Sequence, residues 1–81
     1  ETTFDYDTQL VEDQLMIKHP LHSHSILFDL CDLDGNIYLS GELSKQQEST
    51  DIDLTKVPEG DYHLYIINEG MIFKKLLTFK N

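Results

Sequence analysis

Three histidines, His19, His22 and His24, sit in one short stretch of this chain. Imidazoles at that spacing can hold zinc, nickel or copper, with an acidic residue as a further ligand. No cysteine or second paired motif accompanies them, so a solvated loop competes with the metal site. Asp32, Asp34 and Asn36 echo the start of a calcium loop. An EF-type loop wants glycine sixth and glutamate twelfth, where this chain has Ile37 and Leu43. A hairpin turn is the better reading. Cys31 is the only thiol, and a nucleophile needs a base and an electropositive setting. Asp29, Asp32 and Asp34 oppose thiolate formation, so Cys31 reads as a packing residue or a half-exposed thiol on an outer sheet face. Asp51 and Asp53 have the spacing of neighbours on one strand face. Paired carboxylates need a cleft and separated pKa values to act as acid and base, and a small sandwich has little room for one. The sequence therefore assigns no catalytic residue and no cofactor, and the expectation is a protein that is not an enzyme.

The elements that carry these residues read as strands. Leu54-Thr55-Lys56-Val57-Pro58-Glu59-Gly60-Asp61-Tyr62-His63-Leu64-Tyr65-Ile66 is a tight turn delivering an alternating strand. Tyr62, Leu64 and Ile66 form one face, and His63, Tyr65 and Ile67 the other. Tyr62 is placed for a tyrosine corner, its hydroxyl bonded to backbone a few residues upstream. His63, Tyr65 and Ile67 form an aromatic-aliphatic strip that is a candidate partner or glycan surface. Phe4 and Tyr6 are the residues placed to cover it.

Upstream, Thr2 to Tyr6 reads as a first edge strand and Asp13 to Lys18 as a half-buried one carrying Leu15 and Ile17. Pro20 breaks it, lacking an amide donor and restricting its predecessor. Ser25 to Asp32 is a stronger strand, with Ile26, Phe28 and Leu30 on one face and Leu27, Asp29 and Cys31 on the other. Asp34-Gly35 then signals a hairpin. Ile37, Leu39 and Leu43 alternate in the next strand, where Gly41 predicts a bulge. Asp51 to Leu54 is a short strand with Ile52 and Leu54 inward. Asn68-Glu69-Gly70 is a turn, and Met71 to Lys80 closes the chain with a bulge predicted at Lys74-Lys75. Six or seven strands with turns at this spacing predict an all-β fold, an immunoglobulin-like antiparallel β-sandwich spanning residues 1–81 as one domain.

Composition narrows the partners. The 81 residues hold 15 acidic side chains against 6 lysines, for a formal charge of −9, and no arginine. Phosphate contacts want positive charge and base readout most often uses arginine, so neither nucleic acid nor an anionic membrane surface is expected as a partner. No stretch approaches the ~18 apolar residues of a spanning helix, so no membrane insertion is expected. One cysteine allows no internal disulfide. This fits a reducing compartment, or an organism whose exported proteins rarely use bridges. The start at Glu1 points to a processed or trimmed product.

The unit Ile26-Leu27-Phe28-Asp29-Leu30-Cys31-Asp32-Leu33-Asp34-Gly35-Asn36-Ile37-Tyr38, then Ile52-Asp53-Leu54, Val57-Pro58-Glu59-Gly60-Asp61-Tyr62-His63-Leu64 and Lys75-Leu76-Leu77-Thr78-Phe79 resembles a family of small exported proteins of unknown function from gut Bacteroides. Those proteins have immunoglobulin-like sandwiches. The order is also similar to the C-terminal sorting domains of type IX secretion cargo in that phylum. Those usually open with a Pro-Asn-Pro-like segment, where this chain has Lys18-His19-Pro20. The resemblance implies export to the periplasm or cell surface and no catalytic residues, and the expected role is binding or assembly with a protein or cell-surface partner. The alternatives are a sorting module of a larger secreted protein and a weak metal binder through the histidine loop.

Overall fold

Alternating apolar residues build seven antiparallel strands. In the computed structural model, which describes residues 6–80, these are β1 (Asp7–Val11), β2 (Gln14–Lys18), β3 (Ile26–Asp32), β4 (Ile37–Glu42), β5 (Ser49–Asp53), β6 (Gly60–Asn68) and β7 (Met71–Phe79). They pair as a three-stranded sheet, β1-β2-β5, and a four-stranded sheet, β4-β3-β6-β7. The described residues hold no helix, and so none long and apolar enough to cross a membrane. The arrangement is an immunoglobulin-like β-sandwich. Thr2 to Phe4 and Asp5 of the predicted first strand lie outside the described residues, and Tyr6 precedes β1.

The core forms where the inner faces meet. Leu15 and Ile17 of β2, Ile26 of β3, Leu43 after β4, and Leu64 and Ile66 of β6 are fully buried. Each is worth about 1.5–3 kcal/mol relative to exposure. Tyr6, Phe28, Leu30, Ile52, Leu54, Val57, Tyr62 and Phe79 complete the cluster, with Leu10, Leu39, Phe73 and Leu77 packed against it.

Two predicted bulges are absent and one appears elsewhere. β6 and β7 stay in register from Gly60↔Phe79 to Asn68↔Met71, with no irregularity at Lys74-Lys75. β7 alternates cleanly instead. Its phase looked broken because both faces carry apolar side chains. Gly41 sits in regular register opposite Phe28. A Cβ there would lie 2.9 Å from Phe28 Cε2, so the glycine makes room for the phenyl ring. The register shifts between Leu30 and Cys31, which pair with Leu39 and Ile37. Tyr38 is the extra residue, and the shift leaves Ile37 exposed.

The turns are held by side chains as well as backbone. Glu12 and Glu69 adopt positive φ of 56°, as the first central residue of a primed hairpin turn requires. Asp32 closes the β3–β4 turn. Its Oδ1 accepts the backbone N–H groups of Asp34 and Asn36, and its Oδ2 accepts the Asn36 amide, each at 2.9 Å. The Asn36 side chain, then the backbone N–H groups of Asn36, Asp34 and Gly35, hold the Asp32 carboxyl below its ordinary range. A carboxyl depressed in the folded state stabilises above its unfolded pKa of about 3.9, and that contribution disappears as pH falls through the folded value. Urea midpoints are therefore expected to drop between about pH 6 and about pH 3, and to drop less in Asp32→Ala. Equal drops would show that this turn plays no part in acid unfolding.

Tyr62 makes the tyrosine corner. Its hydroxyl donates to the Pro58 carbonyl at 2.6 Å, and its ring meets Tyr38 edge-on with centroids 5.5 Å apart. Burial, then the neighbouring Tyr38 and Asp32, pushes the phenol above its usual range. Tyr62→Phe keeps the ring and loses the bond. It is expected to cost about 1 kcal/mol, seen as a lower urea midpoint at unchanged slope. An unchanged midpoint would leave the corner without a stabilising role.

Candidate functional site

The three histidines do come together. The His19 and His22 rings are 5.3 Å apart and the His22 and His24 rings 5.8 Å. Four of their six nitrogens, however, are directed at protein groups. His19 is only 5% exposed. Its Nδ1 lies 3.0 Å from the Pro20 carbonyl and its Nε2 lies 2.8 Å from Thr50 Oγ1. A carbonyl only accepts, so Nδ1 carries the proton, and in the neutral ring Nε2 accepts the Thr50 hydroxyl. The same hydroxyl oxygen accepts the Ser44 amide. His22 donates Nδ1–H to the His24 carbonyl at 2.8 Å. His24 donates Nε2–H to Asn68 Oδ1 at 2.7 Å, and Asn68 Nδ2 donates to the Tyr6 hydroxyl at 3.1 Å. Only His22 Nε2 is buried without a partner among the described residues. Those residues contain no group of three or more His, Cys, Asp or Glu placed to hold a metal ion. The loop is a polar seam tying β2 to β5, and the β3 start to the β6–β7 hairpin.

The second candidate is the outer face of the four-stranded sheet. Residues opposite one another in an antiparallel pair share a face, so the registers define rows. Glu42, Leu27, Ile67 and Ile72 make one row. Ser40, Asp29, Tyr65 and Lys74 make the next, and Ile37, Cys31, His63 and Leu76 the third. The strip His63, Tyr65 and Ile67 thus lies at the centre of a wider face and is half-buried by its neighbours. Leu27, Ile37, Ile72 and Leu76 around it are exposed, Ile72 by 68%. Lys74 Nζ stands 5.7 Å over the Tyr65 ring and His63 lies edge-on to Tyr65.

Tyr6 does not cover this face. It is buried in the core cluster, with its ring edge-on to Phe73 at 5.3 Å. The Tyr6 hydroxyl accepts from Asn68, and that bond draws it to the inner side. Phe4 lies outside the described residues. Reading the sequence missed Leu27, Ile72 and Leu76 as members of this surface. The signal was available for Leu27, which shares the outward phase of Asp29 and Cys31. It was not available for β7, where inward and outward positions are equally apolar.

Cys31 lies on the outer face and is buried beneath its neighbours. Burial, then the Asp29 and Asp32 carboxylates, raises its thiol pKa above the ordinary value. This opposes the thiolate that a nucleophile needs. Asp51 and Asp53 are exposed along β5, on its outer side.

No protein-family model matches this chain, and no curated protein matches it either.

Proposed function

We propose that this chain is a non-enzymatic binding or assembly module that meets a protein or cell-surface partner through the outer face of β3, β6 and β7. The observation that carries the reading is the contiguity of apolar side chains there, with half-buried Ile67 between exposed Leu27 and Ile72. Leu27, Ile67 and Ile72 lie side by side in one row, with Leu76 and Ile37 two rows away. Tyr65, Lys74 and Asp29 between them supply polar contacts that fix orientation. Contiguous apolar patches rimmed by polar groups mark interaction sites, whereas scattered exposed residues need no explanation. The exported setting rests on the sequence resemblance of the Ile26 to Tyr38 unit and the segments after it to small exported sandwich proteins.

Capture from source-cell fractions tests both halves. The wild-type chain is compared with a Leu27→Ser/Ile67→Ser variant and with Asp51→Ser on the other sheet. A partner retained by the wild type and by Asp51→Ser, and lost by the double variant, is the expected result. Equal retention by all three would remove the face from the proposal. Immunoblots of the same fractions give the location, and a cytoplasmic band would remove the exported setting.

A further inference from the structure

β7 is the place in this fold where another strand can add. It ends the order β4-β3-β6-β7, so one side of its backbone bonds β6 and the other meets no strand among the described residues. Free edge N–H and C=O groups are templates for pairing. The remaining edges are blunted. β1 and β5 are five residues each, and β4 is thrown out of register beside Tyr38. β7 runs for nine residues in unbroken register with β6.

Charge selects the occupant. β7 carries Lys74 and Lys75 and no carboxylate, in a chain with 15 acidic residues and 6 lysines. Neither lysine is ion-paired among the described residues, where the salt bridge is Lys45 to Glu42. A second copy adding antiparallel about the middle of β7 sets Lys74 against Lys74 or Lys75 against Lys75. Like charges directly opposite are destabilising, and opposite charges stabilise. The side chains also fix a pattern. Ile72, Lys74 and Leu76 face outward, and Phe73, Lys75 and Leu77 face the core side. A strand laid against them meets two apolar residues, two lysines and two more apolar residues in succession.

The geometry points to an extended acidic peptide segment, two adjacent carboxylates flanked on each side by two apolar residues, added to β7 as an eighth strand. Main-chain bonds supply affinity and the alternate side chains supply selection, as in other strand-addition complexes. The inference goes beyond the face reading, because it requires backbone pairing at the edge.

The test titrates the full chain with a capped peptide, Ser-Val-Ile-Glu-Glu-Val-Ile-Ser, while recording backbone amide shifts and hydrogen exchange. Shifts concentrated on β7, with slower exchange of the amides that β6 leaves unbonded, are expected. A Lys74→Glu/Lys75→Glu variant is expected to weaken binding by about tenfold or more. The same peptide with Lys-Lys in place of Glu-Glu should restore binding to that variant, which also shows that the variant is folded. Equal binding of both peptides to the wild type overturns the proposal. So do shifts confined to Leu27, Asp29 and Ile67, or β7 shifts that follow protein concentration without peptide, the mark of a second copy. Protection of β7 in the free chain that vanishes on removing residues 1–5 also overturns it. A peptide that fails while Leu27→Ser/Ile67→Ser still abolishes partner capture sinks strand addition and leaves the face reading standing.

Discussion

Leu64→Ala is expected to leave a large share of the protein unfolded at room temperature. Leu64 sits mid-strand in β6, fully buried, between Leu30 of β3 and Lys75 of β7 in register. Truncation removes the transfer energy of its methyl and methylene groups and opens a cavity that both sheets line. Leu→Ala changes at such sites cost about 2–5 kcal/mol. A chain of this length has roughly 4–12 kcal/mol in total, and small cores often supply only ~3–5. The loss is therefore comparable with the whole. Leu76→Ala is the control. It lies on the other face and is 58% exposed, so its effect should stay within about 0.5 kcal/mol. Urea unfolding followed by tyrosine fluorescence reads both. The two midpoints should separate widely. A reversed order, with Leu76→Ala the costlier change, would mean that the β6 and β7 faces are assigned the wrong way round, since a one-residue slip exchanges inside and outside along a strand.

That contrast also marks where sequence reading stops. β6 was legible because Tyr62, Leu64 and Ile66 alternate with less apolar residues after a Pro-x-Gly turn, and its tyrosine corner follows from the same spacing. β3 was legible for a similar reason, although its outward phase contains Leu27. β7 was legible as a strand but not as a face, because Ile72 and Leu76 are as apolar as Phe73 and Leu77. Only pairing with β6, from Asn68↔Met71 onward, decides which set turns inward. Gly41 looked like a bulge because glycine in a strand has two meanings, a kink or a space for a neighbour. The neighbour, Phe28, belongs to another strand. The candidate face was half legible. Its centre at His63, Tyr65 and Ile67 follows from one strand's period, and its flanks need three strands in register. Tyr6 was misplaced because its partner, Asn68, lies 62 residues away, beyond any local pattern.

The histidine loop gives the second large effect, and the ranking of its three members tests what the loop is for. His19→Ala is expected to cost about 2–4 kcal/mol. The ring is buried, and it joins the β2 end to β5 through Thr50 Oγ1, which also accepts the Ser44 amide. Its own backbone N–H donates to the Glu48 carbonyl at 3.0 Å. Removing the imidazole leaves a cavity beside the half-buried Thr50 hydroxyl and removes its acceptor. His24→Ala is expected to cost less than about 1 kcal/mol. Its ring is exposed, and a water O–H can donate to Asn68 Oδ1 in its place. A site in which the three imidazoles shared a metal would penalise the two substitutions alike and make the wild-type midpoint sensitive to chelator. The hydrogen-bond pattern predicts unequal costs and a midpoint that is the same with EDTA as with added zinc. Equal costs together with a zinc-raised midpoint would give His19, His22 and His24 a ligand role. Unequal costs with no response to zinc would make His19 the pin that holds the loop to β5.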